Sequence, residues 1–225
     1  MHALALALGL AMAASTPTYV ALGDSTGVGV GARHGGYPAR LARRLEAHGR
    51  KLHVVNLCVS GAGVSDVLGG QLERALAASP AVVTLGVGIN DVTHGTDLDA
   101  FERDYDAVAS ALARAGAPVV VVNVPDLSRS PLAVGEETRR ALRERVEAVN
   151  ARIAAAAGRY GLLLVDLHAY AELEARPELL AADRFHPSDL GYERWTDAMQ
   201  PALERALHGA GDKGGPGLSR GRPVR

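Results

Sequence analysis

Apolar runs alternate with amphipathic stretches along the chain, and this alternation restricts the fold more than any other feature. Strands are expected at Thr18–Leu22, Leu52–Leu57, Ala81–Leu85, Pro118–Val124 and Leu162–Val165. Helices are expected near Tyr37–His48, Val64–Ala78, Asp99–Ala115, Glu136–Tyr160 and Ser188–Leu207. Strand followed by helix, five times over, predicts an α/β fold: one domain in three α/β/α layers around a five-stranded parallel sheet. Val119-Val120-Val121-Val122 is an unbroken β-branched run, as required of a central strand covered on both faces. In Glu136–Tyr160, Leu142, Val146, Val149 and Ile153 recur at spacings of four, three and four, which is the stripe of a helix packed on that sheet.

With 48% hydrophobic and 22% charged residues, the chain can bury a core of ordinary size. The domain is expected over residues 16–208. Beyond it, residues 209–225 hold six Gly, two Pro and four Lys/Arg, and read as a disordered basic tail. Without that tail the body is net acidic, which argues against a nucleic-acid partner. Residues 1–15 are apolar and contain Ala11-Met12-Ala13, a pattern that suits a secretory signal peptide with its small-residue cleavage site. This run is too short to span a bilayer, so no stable membrane insertion is expected. The expected location is secreted or periplasmic. The alternative is a cytoplasmic protein whose leader packs on the body or belongs to a misplaced start.

Cys58 stands alone, so no intrachain disulfide can form. At the end of Val54-Val55-Asn56-Leu57 it reads as a small apolar residue rather than a reactive thiol, since no basic neighbour in sequence would lower its pKa.

Four short motifs carry candidate chemistry, and the first three each follow a predicted strand. Gly23-Asp24-Ser25 closes the first strand and leads into Thr26-Gly27-Val28-Gly29-Val30-Gly31, where glycine lets backbone approach a ligand. Ser60-Gly61 follows the second strand, Gly88-Ile89-Asn90-Asp91 the third, and Asp183-Arg184-Phe185-His186 precedes the last helix. In an open parallel sheet, ligands bind beyond the carboxyl ends of the strands, where these motifs fall. A serine hydroxyl attacks carbonyls only when a base takes its proton, so Ser25 needs a histidine. The Asp183-x-x-His186 spacing lets a carboxylate bond one imidazole nitrogen while the other faces serine. Pro187 suits the first turn of the following helix. His168, two residues after Asp166, is the rival base; His34 and His94 are weaker candidates.

Each motif also has a plainer reading. Gly-Asp-Ser can be a simple turn, and an Asn in a Gly-rich loop is commonly a turn former. Gly23-x-Ser25-x-Gly27 matches a nucleophile elbow, but it follows the first strand instead of a later one. Gly27-x-Gly29-x-x-Ala32 loosely fits a dinucleotide loop, yet the second strand ends in Asn56-Leu57 without the acid that would hold a ribose, so no cofactor is expected. Asp24, Asp91, Asp183 and His186 could form an oxygen-rich metal site. No His-x-His or His-Glu-x-x-His spacing supports that reading, and no metal is expected.

In this order the four motifs resemble the blocks of the SGNH (GDSL-type) hydrolases, a likeness that spans the chain from about Tyr19 to about Leu207. The resemblance implies a flavodoxin-like strand order 2-1-3-4-5 and a serine esterase acting through an acyl-enzyme. It also implies Ser25 as nucleophile, His186 as base, Asp183 as its orienting acid, and the Ser25 N–H, Gly61 N–H and Asn90 amide as oxyanion donors. Asp24 and Asp91 would support loops. The connections carry no insertion large enough for a lid, so a shallow pocket for a small acyl ester is expected, with Leu127, Leu132 and Val92 as candidate lining residues. A carbohydrate O-deacetylase would use the same machinery, and a non-catalytic binding module is the alternative outside enzymes. A monomer is the simplest assembly.

Overall fold

The computed structural model describes residues 15–169 and 176–211. The expected leader lies almost wholly, and the expected tail mostly, outside these residues. Five parallel strands form one sheet: β1 (Thr18–Gly23), β2 (His53–Asn56), β3 (Val82–Gly86), β4 (Val119–Val122) and β5 (Leu163–Val165), in the order β2-β1-β3-β4-β5. Tyr19 and Val82 are partners between β1 and β3, as are Val83 and Val119 between β3 and β4.

The strands' alternation divides the core into two slabs. Val20, Leu22, Val83, Leu85, Val119 and Val121 face one side; Tyr19, Ala21, Val82, Val120 and Val122 face the other. Val119–Val122 is buried throughout, as its composition requires. On the first face pack α6 (Leu98–Arg114), through Phe101, Tyr105, Val108 and Leu112, and α7 (Glu136–Tyr160), through Val146, Val149 and Ile153. On the second lie α2 (Tyr37–Ala47) and the last helix, α8 (Asp189–Gly211), with Trp195, Met199 and Leu203 buried.

Several boundaries differ from expectation. Short helices α1 (Ser25–Val28) and α5 (Ile89–His94) begin within the first and third motifs, so Ser25 and Asn90 sit in first helical turns rather than in open loops. The expected helix Val64–Ala78 is broken into α3 (Val64–Asp66), a wide π turn over Val67–Gln71, and α4 (Leu72–Ala77). Pro187 precedes α8 instead of entering its first turn, because the Ser188 hydroxyl accepts the Gly191 N–H at 3.2 Å and takes the capping position. The helix continues to Gly211, beyond its expected end at Leu207.

Two glycines are demanded where β1 meets α1. Gly23 has φ +150°, and a Cβ there would lie 2.2 Å from the Gly86 carbonyl oxygen. A Cβ on Gly27 would lie 2.2 Å from the Cys58 sulfur. Cys58 therefore fills space under the first motif, and burial pushes its thiol pKa up, as a packing role implies.

Asp24 caps α1. Its Oδ1 accepts from the Thr26 N–H at 2.9 Å and the Thr26 hydroxyl at 2.7 Å. The side chain is almost wholly buried, and desolvation raises its carboxyl from 3.8 to about 6, against the lowering effect of those two bonds. The folded protein therefore holds a proton here that the unfolded chain has released between about pH 4 and 6, and this group's contribution to stability falls as pH rises through that window. Asp24→Asn, which can still cap, is expected to gain up to about 3 kcal/mol relative to the wild type between about pH 4 and 7. Urea unfolding across that range checks this; a difference that does not vary with pH would contradict it.

Candidate active site

Because the sheet is parallel, every strand delivers its following loop to one edge. β1 and β3 are neighbours there, at the point where strand order reverses. Ser25 leaves β1 as the first residue of α1, buried with 6% of its surface exposed. Its Oγ lies 3.0 Å from His186 Nε2, across 161 residues of sequence. His186 Nδ1 lies 2.7 Å from Asp183 Oδ2. The other Asp183 oxygen accepts the N–H groups of Phe185 and His186, both at 3.0 Å, so the carboxylate is fixed by three bonds. Burial alone would raise the Asp183 carboxyl, but the bonds from the imidazole and these backbone donors outweigh it and hold the group below its ordinary value. The acid thus stays ionised beside the imidazole.

The loop carrying this pair is tight and closed on itself. Arg184 takes φ +61°, the Ala181 N–H donates to the His186 carbonyl at 2.8 Å, and Leu180 pairs with Pro187. Phe185 meets the imidazole edge-on, with ring centroids 5.1 Å apart. Contacts between α2 and α8 hold this loop against the Ser25 loop. Arg40, 3% exposed, bonds Asp189 and Glu193 and donates to the Gly35 carbonyl at 2.9 Å. The Tyr192 hydroxyl donates to the Val30 carbonyl at 2.9 Å.

Gly61 has φ +81° in the loop after β2, with open space on its Cβ side. No hydrogen bond engages the backbone N–H of Ser25 or Gly61 among the described residues. Asn90 is 8% exposed and donates one amide hydrogen to the Ala62 carbonyl at 2.9 Å, which leaves the second available. Asp91 accepts the Val64 N–H, nearest at 3.1 Å, and so caps α3. Burial raises the Asp91 carboxyl. The Gly61 loop is thereby suspended from two consecutive residues of α5.

Asp166 Oδ1 accepts from Asn123 at 2.7 Å and from the Ala169 N–H at 3.1 Å, and His168 Nδ1 has no partner among the described residues. An Asp166–His168 couple is therefore not assembled. His34 pairs with Asp189 at 3.1 Å on the surface. Asn56, whose amide spoke against a ribose acid, donates to the Gly27 carbonyl at 2.8 Å and accepts the Cys58 N–H at 3.1 Å.

A cavity of about 10 Å³ adjoins Ser25 and His186, lined by Ile89, Leu127, Phe185, Pro187 and Trp195. Leu127 is where the sequence reading expected it. Val92 is instead buried in the core, and Leu132 is half exposed and outside this lining. A hollow of about 720 Å³ lies at the amino ends of the strands beside Pro80, Pro118 and Leu162, and touches none of these groups. Two residues next to the motifs escaped the sequence reading. Trp195 hides in the apolar pattern of α8. Gln71 carried a signal, as a polar residue on the buried stripe Val64, Val67, Leu72, Ala75.

No curated protein matches the chain. Among solved structures, TesA superposes with a TM-score of 0.72 at 24% identity, covering 84% of this chain and 99% of its own. The acetyl xylan esterase AlAXEase gives 0.67 at 26%, covering 82% and 99%. The psychrotrophic esterase EstA from Pseudoalteromonas sp., solved with monoethylphosphonate as inhibitor, gives 0.68 at 17%, covering 85% and 99%. The profile of the GDSL-like lipase/acylhydrolases matches residues 21–194, which includes all four motifs. The chain belongs to the GDSL-like lipase/acylhydrolase family and is an ester hydrolase of the serine type.

Proposed function

We propose that Ser25, His186 and Asp183 hydrolyse esters of small acyl groups. The observation that carries this reading is the unbroken Asp183–His186–Ser25 chain of hydrogen bonds at 2.7 and 3.0 Å. His186 Nε2 takes the Ser25 proton as Oγ attacks the ester carbonyl. Asp183 holds the tautomer and stabilises the imidazolium. The oxyanion accepts from the Ser25 N–H, the Gly61 N–H and the free hydrogen of Asn90. The imidazolium then protonates the departing alcohol, and water attacks the acyl-enzyme with His186 again as base.

The small cavity beside Ser25 and His186, closed in by Leu127, Phe185 and Trp195, supports a short acyl group such as acetyl. The same observation favours carbohydrate O-deacetylation as the second reading. An acetyl xylan esterase among the similar structures points the same way. No helix among the described residues is long and apolar enough to cross a membrane. The apolar leader supports export.

On a chromogenic acetyl ester, Ser25→Ala is expected to lower kcat by at least about 10⁴-fold, and Asn90→Ala by about 10²- to 10³-fold. Undiminished turnover in Ser25→Ala would end the proposal. Across an acyl series, the wild type should favour acetyl over butyryl, and Leu127→Ala should narrow or reverse that preference. An unchanged ratio would remove Leu127 from the acyl pocket. N-terminal sequencing of protein secreted from cells is expected to begin between Ala14 and Thr16; recovery of Met1 would contradict export by cleavage.

A further inference from the structure

Strand β2 stops at Asn56, opposite Ala21, two residues short of the end of β1. The odd-numbered residues of β1 present their backbone groups toward β2: the Leu57 N–H donates to the Ala21 carbonyl at 2.8 Å, and the Val59 N–H to the Gly23 carbonyl at 3.1 Å. Gly23 N–H would be left unpaired on that side, two residues before the nucleophile. The carboxamide of Gln71 fills the position. Its Oε1 accepts the Gly23 N–H at 2.8 Å, and its Nε2 donates to the Gly23 carbonyl at 2.9 Å. The side chain is 98% buried, with 2% of its surface exposed.

Gln71 reaches this place through the π turn. Gln71 is the last residue of that turn, and both it and the adjacent Leu72, which opens α4, are buried. Gly69 and Gly70 form the outer side of the turn, where an added Cβ would meet nothing, so sterics do not require glycine. Their low helix propensity lets the turn widen. The Gly23 carbonyl thus takes two donors: one from Gln71, and one from Val59 in the loop that carries Gly61.

We infer that Gln71 is a positioning residue of the hydrolase, fixing the distance between Ser25 and the Gly61 N–H by holding the Gly23 peptide that both loops share. This rests on the reading of Ser25 as nucleophile and Gly61 as oxyanion donor. Gln71 touches no substrate. Its loss misplaces two groups that converge only in the transition state, so it lowers kcat and leaves KM nearly unchanged.

Gln71→Met keeps length and volume but neither hydrogen bond. It is expected to lower kcat about ten- to a hundredfold with KM within about twofold, measured well below its melting temperature. Gln71→Glu adds a pH readout. As a buried neutral acid it can accept from the Gly23 N–H and donate to the Gly23 carbonyl, whereas as a carboxylate it repels that carbonyl. Its kcat relative to the wild type at the same pH should rise as pH falls from about 8 to 5. A folded Gln71→Met with wild-type kcat, or a flat Gln71→Glu ratio, overturns the inference. Should Gln71→Met fail to fold, the slope of the Glu variant decides. Wild-type protein without Ser25-dependent turnover overturns the functional reading and this inference together, whereas normal wild-type turnover with unaffected Gln71 variants overturns this inference alone.

Discussion

A hydrogen bond of 3.0 Å between Ser25 Oγ and His186 Nε2 joins residues 161 positions apart, and the layout of the site depends on it. Neither partner reaches the other by local structure. Ser25 is delivered by the interior strand β1 and the short helix it feeds; His186 is delivered by a loop that must return to the same edge after the whole sheet has been built. The parallel topology brings both to the carboxyl edge, and the Arg40 and Tyr192 contacts between α2, α8 and the Val30–Gly35 loop bring them into register. Arg40 is buried with its charge met by two carboxylates, which makes this clamp costly to disturb from one side only.

The side of the site that bears Gly61 and Asn90 is built by a different device. Few of the polar groups there rest on regular ladder bonds; side chains take their place. Asn90 holds the Ala62 carbonyl, Asp91 caps Val64, Asn56 ties Gly27 to Cys58, and Gln71 completes the unpaired end of β1. Each is an amide or carboxylate bonded to backbone, and most are buried, where a lost partner leaves an unpaired group that is expensive. The loop bearing Gly61 is thus held without strand or helix of its own, and its N–H has no hydrogen-bond partner among the described residues.

The fold was legible because its signals are additive. Four consecutive valines and a stripe of Leu142, Val146, Val149 and Ile153 each exclude alternatives, and the alternation of such segments leaves little but a covered parallel sheet. The pieces that escaped are those too short for periodicity. α1 and α5 run to no more than six residues, and only the cap at Asp24 betrays the first. The π turn was invisible because its five residues are too few for a period of their own, and the buried positions around it, Val64, Val67, Leu72 and Ala75, still read as one helical stripe. Pro187 misled because a favourable residue for a first turn lost that place to the Ser188 cap. The four motifs were found by their order and their resemblance to a family, since no period in the sequence says that an Asp-x-x-His near its end meets a serine near its start. The small cavity beside Ser25 lies at the limit: Leu127 is a candidate from the sequence, but Phe185 and Trp195 converge on it only through tertiary packing.

Ester hydrolysis at this site requires that the Ser25 hydroxyl be made uniquely reactive by its histidine. Treating the protein with an alkyl phosphonate p-nitrophenyl ester, which loses p-nitrophenolate when serine attacks phosphorus, and mapping the adduct by peptide mass spectrometry tests this directly. One adduct per chain is expected, on the peptide containing Ser25, formed far more slowly when His186 is replaced by Gln. An adduct on another residue, or labelling of Ser25 that ignores the His186 substitution, would contradict it.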